Sequence, residues 1–269
     1  MEEIISLKNI NYSYFGNIPA LKDINLSIKK GEIFSIIGLN GCGKTTLLHI
    51  INALIFPGSG EVFFEGKSIT EKSLKEKNSG TEFRQKMGYI FQNPDMQLFC
   101  PTVFDELLFG PLQINLPPEI ARERAEQTLA YLGIESLRDR PVYMLSGGEK
   151  KKVAIGSVLT MNPEVLLVDE PLSGLDPKTQ TFFIEILFEL NQAGKTIIFT
   201  THHLDLIDHL QPVVAVLSDE HTIRKTGTAS EILNDQELLI NVNLIHEHVH
   251  KHGSEEHKHY HSHYVFHKH

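Results

Sequence analysis

Three short stretches of this chain carry residues whose types and spacing handle phosphate. In Gly38-Leu39-Asn40-Gly41-Cys42-Gly43-Lys44-Thr45, two glycines five positions apart precede a lysine and a hydroxyl residue. Glycines let the backbone turn tightly and aim successive N–H groups at anionic oxygens, and a helix starting near Lys44 adds its positive dipole end. At this spacing Lys44 would reach the β- and γ-phosphates of a nucleotide, while the Thr45 hydroxyl would hold Mg²⁺. Further on, the apolar run Val165-Leu166-Leu167-Val168 ends in Asp169-Glu170. Such a run suits a buried parallel strand that delivers carboxylates to its C-terminal edge, where ligands lie. Asp169 would support Mg²⁺, and Glu170 would polarise or position an attacking water. Between these stretches, Leu145-Ser146-Gly147-Gly148-Glu149 sets small residues before a helical run ending near Leu159.

Taken together, the phosphate loop, the Leu-Ser-Gly-Gly-Glu string and the Asp-Glu strand end resemble the ATP-binding cassette (ABC) ATPases, from about Ile4 to Leu233. The resemblance implies ATP and Mg²⁺ as ligands and ATP hydrolysis as the activity. The implied ATP contacts are Tyr14, stacking on adenine, and Gly38, Asn40, Gly41, Cys42, Gly43, Lys44, Thr45 and Thr46 around the phosphates. Implied catalytic residues are Glu170, Gln92 and His202, with Mg²⁺ held through Thr45, Gln92 and Asp169. His203 adjoins His202, so the histidine assignment is ambiguous by one position. Ser146, Gly147, Gly148 and Glu149 would cap the γ-phosphate of an ATP held by a partner subunit, which implies a head-to-tail dimer. The loop Ser173-Gly174-Leu175-Asp176 would cross that interface. Glu149 stands where Gln is commoner in the family, and Lys150-Lys151-Lys152 follows where Arg is frequent.

The elements needed to position these groups are legible in outline. The reading is an α/β phosphate-loop fold with a parallel sheet, an antiparallel N-terminal β part and an inserted helical subdomain. Its core would comprise residues 1–92 and 160–233, its helical insert with the signature residues 93–159, and a histidine-rich tail residues 234–269. Thr102-Val103-Phe104-Asp105 begins like a capping box, and residues 117–132 read as an amphipathic helix with Ile120, Ala121, Ala125, Leu129 and Leu132 on one side. The polar stretch 72–81 reads as a surface loop. Cys42, beside Lys44 and a helix N-terminus, is expected to have a lowered thiol pKa, so that thiol alkylation would abolish ATPase activity and bound MgATP would protect.

Composition bounds the rest. A chain of 269 residues, 41% hydrophobic, can bury a full core. No run approaches the roughly 20 apolar residues that span a bilayer, and Met1-Glu2-Glu3 lacks the basic start of a secretory signal. Two cysteines make no disulfide framework, and a net charge of −9 argues against a nucleic-acid-binding face. A DNA-repair or translation ATPase would need an inserted coiled coil or a second cassette, and the chain has neither.

Within the ABC family, Phe91-Gln92-Asn93-Pro94-Asp95-Met96-Gln97-Leu98-Phe99 with Thr102–Glu106 and Phe109-Gly110-Pro111 is similar to the ATPases of energy-coupling-factor importers, especially the cobalt and nickel group. That implies a peripheral subunit on the cytoplasmic face of the cell membrane, driving integral membrane subunits whose coupling helix enters a groove between Gln92 and the helical insert. The alternative within the same machine is vitamin uptake through a general coupling factor. Ten of the fifteen histidines lie in residues 246–269. His246, His248, His250, His252, His257, His259, His261 and His263 are spaced mostly by one residue, which sets them on one side of an extended chain as candidate ligands for Ni²⁺, Co²⁺ or Zn²⁺. A metal-storage or chaperone role would account for the tail but not for the ATP site.

Overall fold

Long alternating strands open the chain in the computed structural model, which describes residues 2–76, 79–252 and 255–262, those after 245 by the course of the backbone. Strands β1 (Glu3–Tyr14) and β2 (Ile18–Lys29) pair antiparallel, with register shifts that increase the local twist. β3 (Ile33–Ile37) runs into the glycine-rich loop and then α1 (Lys44–Ile51). β4 (Ser59–Phe64) and the two-residue β5 (Lys67–Ser68) complete a four-stranded antiparallel layer in the order β2-β1-β4-β5.

Of the expected loop 72–81, the described residues 72–76 and 79–81 are more helical than expected. The Thr70 hydroxyl accepts the Ser73 N–H in a reciprocal capping box that starts α2 (Glu71–Lys75), and α3 (Ser79–Lys86) is anchored by Phe83, edge-on to Phe64 at 5.4 Å. Local capping and one apolar anchor outweigh the polar composition.

After β6 (Met87–Ile90) comes the helical insert: α4 (Val103–Gln113), α5 (Pro118–Leu132) and α6 (Gly147–Leu159). Thr102 caps α4 by accepting the Asp105 N–H, while its own hydroxyl donates to the Asp105 carboxylate at 2.7 Å. On α5 the buried stripe is Ala121, Ala125, Thr128, Leu129 and Leu132. Ile120, expected on that side, is 40% exposed, because it sits one residue, about 100°, off the seam.

The chain then alternates strand and helix: β7 (Val165–Asp169), α7 (Pro177–Gln192), β8 (Thr196–Thr201), α8 (Leu204–Leu210), β9 (Val213–Leu217), β10 (Ile223–Thr228) and α9 (Ala229–Leu233). The second sheet has the order β10-β9-β3-β8-β7-β6, parallel except for β10. Its central strands are buried on both faces, which is why they read as near-continuous apolar runs, interrupted by Ser35 in β3 and by the threonines of β8. Along β7, Val165 and Leu167 face the cluster shared with α1 and the antiparallel layer, whereas Leu166 and Val168 face the cluster built with the helices.

The expected boundary at 233/234 falls inside packed structure. α10 (Gln236–Asn241) follows, and Leu239, Val242, Leu244 and Ile245 are buried in the helix-side cluster. Only from Ile245 does the chain leave the core, as an antiparallel hairpin of β11 (Ile245–His252) and β12 (Glu255–Ser262). Among the described residues no helix is long and apolar enough to cross a membrane.

Candidate active site

Three neighbouring strands, β3, β8 and β7, end side by side, and the polar residues of interest lie just beyond them. Past β3 the loop 38–43 folds so closely on its surroundings that side chains are excluded at its two ends. A Cβ on Gly38 would meet the Leu217 carbonyl oxygen at 2.3 Å, and one on Gly43, at φ 112°, the Ala20 carbonyl oxygen at 2.2 Å. Asn40 and Gly41 form the exposed crest between them. Lys44, the first residue of α1, is 6% exposed and turns back over the loop, its ammonium donating to the Gly38 carbonyl at 2.8 Å and the Leu39 carbonyl at 3.1 Å. The loop thus holds its cation beside the backbone N–H groups that would face phosphate.

β7 delivers its two acids to different partners. Asp169 accepts the Thr45 hydroxyl at 2.7 Å and the Thr200 hydroxyl at 2.5 Å. Glu170 leaves the strand at φ 46°, a left-handed conformation unusual for a residue with a side chain, while its N–H donates to Thr200 Oγ1. That turn carries its carboxylate away from Asp169. Glu170 Oε1 lies 3.4 Å from Lys44 Nζ and 3.0 Å from His202 Nδ1, whereas Oε2 is buried without a hydrogen-bond partner. A buried carboxylate oxygen left unpaired carries a desolvation penalty, and it suits an atom that must accept a proton or hold a water.

His202 is therefore the member of the histidine pair at Glu170. His203 stacks against it with ring centroids 4.2 Å apart, and burial, then the His202 ring, pushes its pKa down. Tyr14, at the end of β1, shares a hydrogen bond with Thr46 of 3.0 Å. The Gln92 amide reaches Ser173 Oγ at 3.5 Å, which sets it against the loop preceding α7. Ser146 caps α6 by accepting the Glu149 N–H, and Glu149 returns the bond by accepting the Ser146 N–H at 2.7 Å. That N–H, first, and the Ser146 hydroxyl hold the Glu149 carboxyl below its usual pKa. The box explains why Glu serves here as Gln does. Ser146 and Gly147 are exposed at the helix N-terminus, flanked by Tyr143 and Met144 at 73% and 61% exposure.

Cys42 reverses its expectation. The thiol is 2% exposed, and burial pushes its pKa up against the smaller lowering by Lys44. Its carbonyl also faces His221 Nδ1 at 3.1 Å.

Sequence reasoning missed Lys151 and Thr200. Lys151 is 2% exposed, donating to the Gln92 carbonyl at 2.9 Å and the Glu170 carbonyl at 3.4 Å, and burial lowers its pKa to about 8. Its signal was a lysine on the buried stripe Ala154, Ile155 and Val158 of α6. Thr200 had none, being one β-branched residue in a β-branched strand.

A phosphate-cradling loop and helix N-terminus, two strand-end carboxylates and a buried Lys-Glu-His cluster define a phosphate-loop nucleotide-hydrolysing domain. The profile of the ABC transporter family matches residues 21–173. The energy-coupling factor transporter ATP-binding protein EcfA of Methanocaldococcus jannaschii is 41% identical over 90% of this chain and 85% of its own length. The nickel import ATP-binding protein NikO of Rhodobacter capsulatus is 40% identical over 91% and 97%. The cbiO1 structure from Clostridium perfringens, part of the ABC transporter complex cbiONQ, superimposes with a TM-score of 0.76 at 36% identity, covering 91% of this chain and 96% of that one. The chain belongs to the ABC transporter ATP-binding family, and it is an ATPase.

Proposed function

We propose that this protein is the ATP-hydrolysing subunit of an energy-coupling-factor importer for nickel or cobalt ions, acting as a head-to-tail dimer beneath integral membrane subunits. The observation that carries the chemistry is Glu170, held between Lys44 and His202 with one carboxylate oxygen unpaired. In this reading the loop N–H groups and Lys44 bind the phosphates of ATP, with Tyr14 against adenine. The Thr45 hydroxyl and Asp169 carboxylate, adjacent and oxygen-bearing, fit Mg²⁺, with Gln92 supplying a further oxygen from the facing loop. Bound Mg²⁺ would neutralise charge on the β- and γ-phosphate oxygens. Glu170 orients the attacking water and takes its proton, while His202 fixes the carboxylate and meets the γ-phosphate. The exposed N-terminus of α6, Ser146 to Glu149, closes on ATP held by the partner subunit, with Tyr143 and Met144 adding apolar contact.

Coupling is supported by a groove of about 660 Å³ between α1, α3 and the insert, lined by Leu54, Tyr89, Gln97, Phe99, Phe109 and Met161, with Gln97 rather than the expected Gln92 on its wall. Phe99 and Phe109 stack edge-on at 4.8 Å and remain exposed, an apolar pair sized for a short helix of a membrane subunit. The metal substrate is supported by the likeness to NikO and by the histidine-rich C-terminus, which we read as a Ni²⁺, Co²⁺ or Zn²⁺ binder. Of the candidate ligands, His263 lies outside the described residues. The test is uptake of radioactive nickel and cobalt by proteoliposomes holding the complete complex. ATP-dependent accumulation of either ion is expected. Accumulation of a vitamin with neither metal would overturn the substrate assignment.

A further inference from the structure

The terminal hairpin pairs its residues in a register that sorts them by chemistry. His246 stands opposite His261, His248 opposite His259, His250 opposite His257 and His252 opposite Glu255. Directly opposed residues of an antiparallel pair share a face, as do alternate residues along each strand. All eight positions of one face are thus metal-ligating types. The other face holds Ile245 with Ser262, Glu247 with Tyr260, Val249 with Lys258 and Lys251 with Glu256, and no histidine. The seven paired histidines of the hairpin all belong to one face.

Register is decisive, because a slip of one residue would move one strand's histidines to the opposite face and leave each face with half a ligand set. In the observed register, opposed positions are about 4.5–5.5 Å apart at Cα or Cβ, and neighbours along a strand about 6.6 Å. Two successive opposed pairs therefore set four residues of ligating type on one patch of a face, and four is the number of ligands a tetrahedral or square-planar divalent ion takes. A two-stranded hairpin alone is marginal in water, so ligand bonds across it would also supply stability. Its first residue, Ile245, is buried in the domain core, which ties the hairpin to the ATPase body.

We infer that the hairpin is a preorganised ladder for two borderline divalent transition-metal ions. The register groups the candidate ligands into two sets, His246, His261, His248 and His259 in one and His250, His257, His252 and Glu255 in the other. This rests on the reading of the C-terminus as a metal binder, and it adds that binding depends on strand register rather than on histidine content. Among the residues whose side chains are described, no other group of three or more His, Cys, Asp or Glu could hold a metal ion.

The test is calorimetric titration of the full chain with NiCl₂, and separately ZnCl₂, with ATPase activity as the fold control. Wild type is expected to bind two ions. A composition-preserving variant, His248→Val with Val249→His and Lys258→His with His259→Lys, moves two histidines to the other face. It should bind one ion as wild type does and the other about a hundredfold more weakly, at the upper end of what losing an outer-shell partner alone causes. Unchanged ATPase activity is expected throughout. If the exchanged chain binds two ions like wild type while deletion of 246–269 abolishes binding, the register inference is overturned and the metal-binding tail stands. If the deletion binds like wild type, the tail reading itself falls.

Discussion

Glu170 and Asp169 are adjacent in sequence but serve separate partners, and replacing each should have a separate effect. Glu170→Gln keeps size and the Lys44 contact but removes a base, so ATP binding is expected to persist while hydrolysis falls about 10²–10⁴-fold. Single-turnover assays on the assembled complex would read this directly, and wild-type turnover would refute the role. Asp169→Asn should instead weaken Mg²⁺-dependent nucleotide binding, because the Thr45 and Thr200 hydroxyls would lose a charged acceptor. The cysteines give a pH prediction. Burial first, then Glu106, pushes the Cys100 thiol up to about 12, and burial raises Cys42 as well. Since the thiolate is the nucleophile, alkylation of Cys100 should climb about tenfold per pH unit from 7 to 11, where an ordinary thiol levels off above about 8.5. Peptide mapping after timed labelling would show it. An early plateau would contradict the shift.

At the scale of elements, the helix carrying the signature is tied to the segment carrying Gln92 by three side chains. Lys151 holds the Gln92 carbonyl; Gln97 accepts the Phe91 N–H and donates to the Ala154 carbonyl; Lys150 pairs with Asp95 at 2.6 Å. The last is exposed and worth little, so the first two set the geometry. Lys151→Met keeps the volume but frees the Gln92 and Glu170 carbonyls, each an unpaired acceptor worth about 1–3 kcal/mol if it stays buried. The expected result is a lower kcat with ATP affinity nearly kept, because the phosphate loop is untouched while Glu170, proposed to activate water, loses its backbone anchor. Steady-state kinetics would separate this from a general loss of fold, which would depress both.

At the scale of the molecule, the chain's end belongs to two structures. Residues 234–245 close the core, and residues 246–252 pair with 255–262 in the hairpin. Truncation after 245 should leave thermal stability and ATPase activity intact. Truncation after 233 removes Leu239, Val242, Leu244 and Ile245, each worth about 1.5–3 kcal/mol buried, which together rival the 5–15 kcal/mol of a whole domain. That shorter chain is expected to be insoluble or unfolded, and comparing the two products by circular dichroism checks it.

The sequence alone determined the fold class and the motif residues that meet at the strand ends, because these are local matters. Phosphate loops, buried strands and helix caps depend on residue types a few positions apart, and the Gly38–Thr45 string or the run before Asp169 carries that information in full. Tertiary structure decided whatever depends on distant partners. Cys42 is close to a cation in sequence, yet packing shields it from water and desolvation outweighs that charge. Lys151 gains meaning only where α6 meets the ends of β6 and β7. The histidines 246–261 could be counted in the sequence, but whether they share a face depends on the pairing of two strands. That register is a property of the fold, because alternation fixes each strand's own face while only cross-strand hydrogen bonding aligns one strand with the other.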